Sequence, residues 1–297
     1  MILLNLVVTG IGAFMKIGIT LFSLALSLSC QSVFAFDQTH KLFSEELAKY
    51  VDGGRVHYKR WQSDQTRLLE YLDAVAAIKP EELSAMTAAE KEALWLNVYN
   101  AFTIKLVLDN YPIKETTKFY PPDSLRQVPD VWEEQFVTVA GQKYSIDQIE
   151  HAVLRKDFHD ERIHFAQNAA ASGSGALRAR AFTPDTLDTD LADLTEHFLF
   201  DKKNVNFDFD KKTVSVSYIF NWFPLDFTKA AGFCKRKFPP PPDDEIVLAY
   251  LAKHFAPVIE KNLKNPAEIA TFRVKYLPFD WTLNDADCNR SLSSAVK

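Results

Sequence analysis

AAEKEALWLNVYNAFTIKLVLDN, Ala88 to Asn110, is apolar nearly all the way round. Leu94, Trp95, Leu96, Val98, Tyr99, Phe102, Ile104, Leu106, Val107 and Leu108 leave it no wet face. A helix of that kind lies at the centre of a domain rather than on its surface. Thr87, with Glu90 three residues on, forms a capping box at its start. Tyr111-Pro112 ends it, because the residue before a proline is driven out of helical geometry. Asn97 and Asn100 lie three apart and share one side of this helix. A buried amide without partners costs ~1 to 3 kcal/mol, so the two asparagines either pin a neighbouring loop or line a pocket.

Toward the amino terminus, Phe43, Leu47 and Tyr50 space a short helix over Lys41 to Val51, stopped by Asp52-Gly53-Gly54. Val56 and Tyr58 read as a brief strand. Leu68, Leu72, Val75 and Ala76 mark a helix that Ser63 can cap and that closes before Pro80. Downstream, Phe136 to Val139 and Gln142 to Tyr144 form a hairpin around Ala140-Gly141, and Ser145 with Gln148 opens another helix by a capping box. Glu150 and His151 follow each other there about 100° apart, so an α-helix does not aim both straight into one site. Leu187, Leu191, Leu194 and Phe198 mark a further helix, and Val205 to Phe209 with Val214 to Tyr218 an antiparallel hairpin. Pro239 to Pro242 is a rigid connector, Ile246 to Phe255 a helix, and Phe272, Val274 and Tyr276 a last strand. Helices come mainly first and hairpins mainly later, which predicts a single α+β domain.

RIHFAQNAAASGSGALR, Arg162 to Arg178, carries the functional reading. Ile163 and Phe165 alternate with His164 and Ala166, which predicts a strand whose end presents His164 and Asn168 to a cleft. The turn Ser172-Gly173-Ser174-Gly175 offers backbone amides close to a ligand, since glycine accepts dihedrals that other residues refuse.

A chain of 297 residues with 47% hydrophobic content is ample for a large core. The net charge of -5 arises from interspersed acids and bases, so no basic tract recruits nucleic acid. Lys16, the apolar run Ile17 to Leu28 and the small residues up to Ala35 read as a secretory signal over residues 1–35, cut before Phe36. Met1 to Phe14 is also apolar, which leaves a longer anchor or a true start at Met15 as alternatives. Contact with a membrane is expected only through this segment, and the domain spans 36–297 in the periplasm or outside the cell. Cys30 is disfavoured as a lipid site because Ser27 stands where such a signal carries an aliphatic residue. Cys234 and Cys288 then remain, free to pair or not in an oxidising compartment. No cofactor is expected. His151, His159 and His164 match no metal-ligand spacing.

Five ordered segments together resemble the bacterial and plant family called domain of unknown function 547. They are LWLNVYNAFTIKLVL (Leu94 to Leu108), SIDQIEHAVLR (Ser145 to Arg155), Arg162 to Arg178, IFNWFPLDF (Ile219 to Phe227) and YLPFDWTLN (Tyr276 to Asn284). The likeness covers about residues 50–284. It implies a papain- and transglutaminase-like fold, a helical half packed on an antiparallel sheet with a cleft between. The chemistry so implied is a thiolate nucleophile, a histidine base and a polar residue orienting the ring. Yet the family's two cysteines align with Ala169 and Ser174, and its proline with Gly175.

Two readings follow. The first is a noncatalytic cleft that binds a peptide or small ligand through Asn97, Asn100, Glu150, His151, His164, Asn168 and Arg178. The alternative is a hydrolase or acyl-transferase with Ser174 as nucleophile, His164 or His151 as base, Glu150 orienting, and glycine-flanked amides as oxyanion hole. The missing thiols favour the first, because a serine hydroxyl needs a stronger base than a thiol.

Overall fold

The computed structural model describes residues 36–233 and 241–287. The secretory segment, Cys234 and Cys288, and the start of the proline connector lie outside these described residues.

The amino-terminal part is helical: α1 (Lys41–Tyr50), the two-residue strands β1 (Val51–Asp52) and β2 (Arg55–Val56), α2 (Tyr58–Gln62), α3 (Thr66–Ala76), α4 (Pro80–Ala85) and α5 (Ala88–Asn110). The central helix has its predicted ends, and the Thr87–Glu90 capping box is formed in both directions. Its buried residues run all round, from Ala93 to Leu108. Three local expectations are corrected. Tyr58 begins a helix instead of continuing a strand, because its fully buried ring turns inward to donate to Asn284 Oδ1 at 2.8 Å. Ser63 does not cap α3; its hydroxyl donates back to Arg60 O. Pro80 opens α4 as its first residue, where a missing N–H costs nothing.

Strands β3 (Val137–Val139) and β4 (Gln142–Tyr144) pair as the expected hairpin. The Ser145–Gln148 capping box then opens α6 (Ile146–Gln148), which widens into a π-helix over Ile149–Phe158. Ile163–Ala166 is a short helix, α7, and not the predicted strand. All four of its residues are buried, so the apolar alternation reflects no wet face. Ile163 and Ala166 join one hydrophobic cluster while Phe165 enters another.

The second cluster is built by α8 (Leu187–Phe200), β5 (Val205–Asp208), β6 (Thr213–Ser217), α9 (Ile219–Trp222), α10 (Asp243–His254), α11 (Ala256–Asn262) and β7 (Arg273–Leu277). Its sheet has the order β5-β6-β7. The β5–β6 pair is antiparallel, but β6 and β7 run parallel, with Val214 opposite Val274. The expected all-antiparallel sheet is thus corrected to a mixed one, and the reason is connectivity: α10 and α11 carry the chain back to the start of the sheet, as a parallel pair requires. The class is α+β. No helix among the described residues is long and apolar enough to cross a membrane.

Candidate functional site

A cavity of ≈ 350 Å³ opens between the two clusters. Its walls come from α5 (Tyr99), the π-helix (Glu150, His151), α7 and the turn after it (His164, Gln167, Ala169, Ser174), and the aromatic residues Trp222, Phe223, Phe279 and Trp281.

His164 is the best-built group there. Its ring is 4% exposed and lies flat on Phe223, 4.2 Å between centroids and 8° between planes. Burial pulls its pKa down, against an opposing pull from the Asp226 carboxylate. A neutral ring donating Nε2–H to Asp226 Oδ2 at 2.8 Å leaves Nδ1 as a lone pair. Asp226 also receives both arms of Arg155, at 2.6 and 3.0 Å. Burial opposes ionisation of Asp226, but the donors from His164 and Arg155 outweigh it and hold the carboxyl down at about 2. Arg155 lies over the Phe223 ring as well and donates to His151 Nδ1 at 2.8 Å. His151 Nε2 is 3.2 Å from Asp147 Oδ1, so both of its nitrogens are engaged.

Glu150 and His151 line the same cavity after all. A π-helix turns through less than 100° per residue, so consecutive side chains diverge less than α-helical spacing predicts. Burial pushes the Glu150 carboxyl up to about 7, and its charge is only partly favoured by Arg155 nearby.

The other predicted ligand groups are elsewhere engaged. Asn97 closes a two-bond clamp on Phe182, to its O at 2.8 Å and from its N at 2.9 Å. Asn100 does the same across Ala166 O and Asn168 N. Asn168 donates to Gly175 O and accepts from Ala170 N and Asn284. Arg178 pairs with the buried Asp190 at 2.7 Å. None of these four lines the cavity, and each satisfies a buried backbone or charge that would otherwise be costly; Asn168 lines a second cavity of ≈ 400 Å³.

Ser174 does line the cavity, but its Oγ accepts from Ala169 N at 3.1 Å and no hydrogen bond joins it to His164 or His151. Three amides of the glycine-flanked turn are not free for an oxyanion either. Ser172 N donates to Thr282 O, Gly173 N to Asp280 O and Ser174 N to Ala171 O. Gly175 is required by packing: a Cβ there would stand 1.8 Å from Phe165 O. His159 is exposed at the end of the π-helix. Among the described residues no group of three or more His, Cys, Asp or Glu could hold a metal ion.

Residues 83–199 match a family model described as protein of unknown function, DUF547. Over those residues the chain belongs to the DUF547 family. No curated protein and no solved structure matches it. The DUF547 stretch holds the central helix, the π-helix, His164 and the turn to Ser174. Asp226, Phe223 and Trp281 come from beyond it. Sequence reasoning missed Asp226 as the partner of His164, together with Arg126, Trp132 and Gln167 on the cavity wall. The available signal was the aromatic density of IFNWFPLDF and YLPFDWTLN, which places Trp222, Phe223, Asp226, Phe279 and Trp281 in two short runs.

Proposed function

We propose that this cavity is a ligand-binding cleft of an exported cell-envelope protein, which takes a peptide or small ligand and does not turn it over. One observation carries the reading: the His164–Asp226 couple is intact, yet no nucleophile is engaged with it. Ala169 offers a methyl group, and Ser174 is tied to the Ala169 amide. The Ser174 hydroxyl reaches the Ala169 amide at 3.1 Å, which supports a bridge between the two cysteines expected at these positions in relatives. Loss of a bridge is a structural change, whereas an activated serine would need a histidine partner. Helices set against a small sheet, with the cleft between their cores, support the papain- and transglutaminase-like reading of the fold. The order of Lys16, apolar run and Ala35 supports export.

The competing reading, a serine-dependent hydrolase, draws on Ser174 and His164 sharing one cavity. A fluorophosphonate probe and an activated ester separate the two. Wild type and Ser174→Ala should be equally inert to both reagents. Stoichiometric labelling of Ser174, lost on treatment of the His164→Ala variant, would sink the binding-cleft reading.

A further inference from the structure

Hydrogen-bond donors without protein partners gather on this cavity. Gln167 is 6% exposed, and neither its amide nitrogen nor its oxygen finds a hydrogen bond. Trp132 Nε1 is buried and equally unpaired. Arg126 is held by ring faces alone: its Cζ stands 4.7 Å from the Trp281 centroid, 5.6 Å from Trp132 and 5.8 Å from Tyr120. Its Nε is buried without a partner, and its guanidinium makes no ion pair among the described residues. Its position is not accidental, because the neighbouring Gln127, 1% exposed, fastens the whole preceding loop. Gln127 Oε1 accepts from Thr116 N and Thr117 N, and Nε2 donates to Thr117 O, Tyr120 O and Pro121 O.

The acids on the cavity cancel this cation only in part, Glu150 being the one that interacts with it. Asp147 faces His151, Asp226 is taken by Arg155 and His164, and Glu133 is exposed. Burial keeps much of Glu150 protonated near neutrality, when it is a further donor. Beside Arg126 the rings of Trp222, Phe279 and Trp281 pack on one another with centroids 4.5 to 5.8 Å apart, and Trp222, 41% exposed, leaves a face on which a flat apolar body can lie.

We infer that the cavity binds a carboxylate carried on a flat apolar body, with the Arg126 guanidinium as its anion site and Gln167 and Trp132 as flanking donors. This rests on the binding-cleft reading above. A guanidinium meets a carboxylate with two parallel hydrogen bonds, which a carboxamide cannot reproduce. A cavity of ≈ 350 Å³ suits one ring and its acid rather than a long peptide.

The test uses matched acids and amides, with binding followed by calorimetry and by quenching of tryptophan fluorescence. N-acetyl-L-phenylalanine and its amide stand for a peptide carboxyl terminus; indole-3-acetate and indole-3-acetamide stand for a free aryl acid. In at least one pair the acid should bind about tenfold or more tighter than the amide. That preference should vanish in Arg126→Gln and partly return in Arg126→Lys, which retains charge but loses the fork. The pair with the larger preference identifies the source of the carboxylate. Equal binding of acids and amides, or a preference that survives Arg126→Gln, overturns this inference and leaves the cleft reading standing. Failure of all four probes to bind wild type, with Arg126→Gln folded alike by circular dichroism, overturns both.

Discussion

Glu150 is a residue whose chemistry departs from that of an ordinary surface glutamate. The side chain sits on the cavity wall, where burial raises its carboxyl from 4.5 to about 7. The folded state therefore prefers the neutral acid. Below about pH 4.5 both folded and unfolded chains hold the proton, and the group is indifferent to folding. Between about pH 4.5 and pH 7 the unfolded chain releases its proton first, so stability falls as pH rises, and above pH 7 the whole penalty is present. Glu150→Gln should thus match wild type at pH 4.5 and exceed it by roughly 2 kcal/mol at pH 8, a value discounted for the part of the side chain that meets water. Urea midpoints at the two pH values decide it; an equal difference at both would remove burial as the cause. His164 was legible as a candidate because its motif is local, and it lines the cavity. Its partner was not, since Asp226 lies 62 residues away, and long-range packing, with Phe223 stacked on the imidazole and Arg155 on the carboxylate, brings it within 2.8 Å.

At the scale of elements, capping boxes were the most legible features. Thr87–Glu90 and Ser145–Gln148 depend on four adjacent residues, and both formed where spacing placed them. The π-helix was invisible because hydrophobic periodicity over Ile149–Phe158 does not distinguish a wider turn from an α-helix, and that widening is what lets Glu150 and His151 share the cavity. The short helix α7 was misread for a related reason: alternation signals a strand only when one face is wet, and here both faces are dry. The turn that follows needs Gly175 for its close approach to α7. With Phe165 O only 1.8 Å from where a Cβ would sit, Gly175→Ala must displace α7 from the turn. A loss of about 3 kcal/mol is expected, with weaker ligand binding because Gln167 and Ala169 lie between the two. A midpoint shift equivalent to less than ~0.5 kcal/mol would show that the turn relaxes freely.

Across the whole molecule, a buried polar knot around Asn284, 3% exposed, ties the chain that leaves β7 of the second cluster to Val56, Tyr58 and Ala170 of the first. Its Oδ1 accepts from Tyr58 in the helical part, and its Nδ2 donates to Asn168 Oδ1 at 3.0 Å. Its backbone O accepts from Val56 N, and its N donates to Ala170 O. The same run of chain, by pairing Gly173 and Ser172 with Asp280 and Thr282, delivers Trp281 to the cavity. Sequence patterns located each of these segments yet could not bring them together, because nothing local records which buried amide answers which hydroxyl. The knot makes the cleft a product of both cores, so they should unfold together. Asn284→Ala leaves the Tyr58 hydroxyl and one acceptance at Asn168 unanswered in a dry interior, at a cost of about 3 kcal/mol. Far-ultraviolet circular dichroism and tryptophan fluorescence should follow one transition in wild type, and one transition moved to lower urea in the variant. Two separated transitions in wild type would mean that the cores are independent, and that the cavity between them is held by something other than this knot.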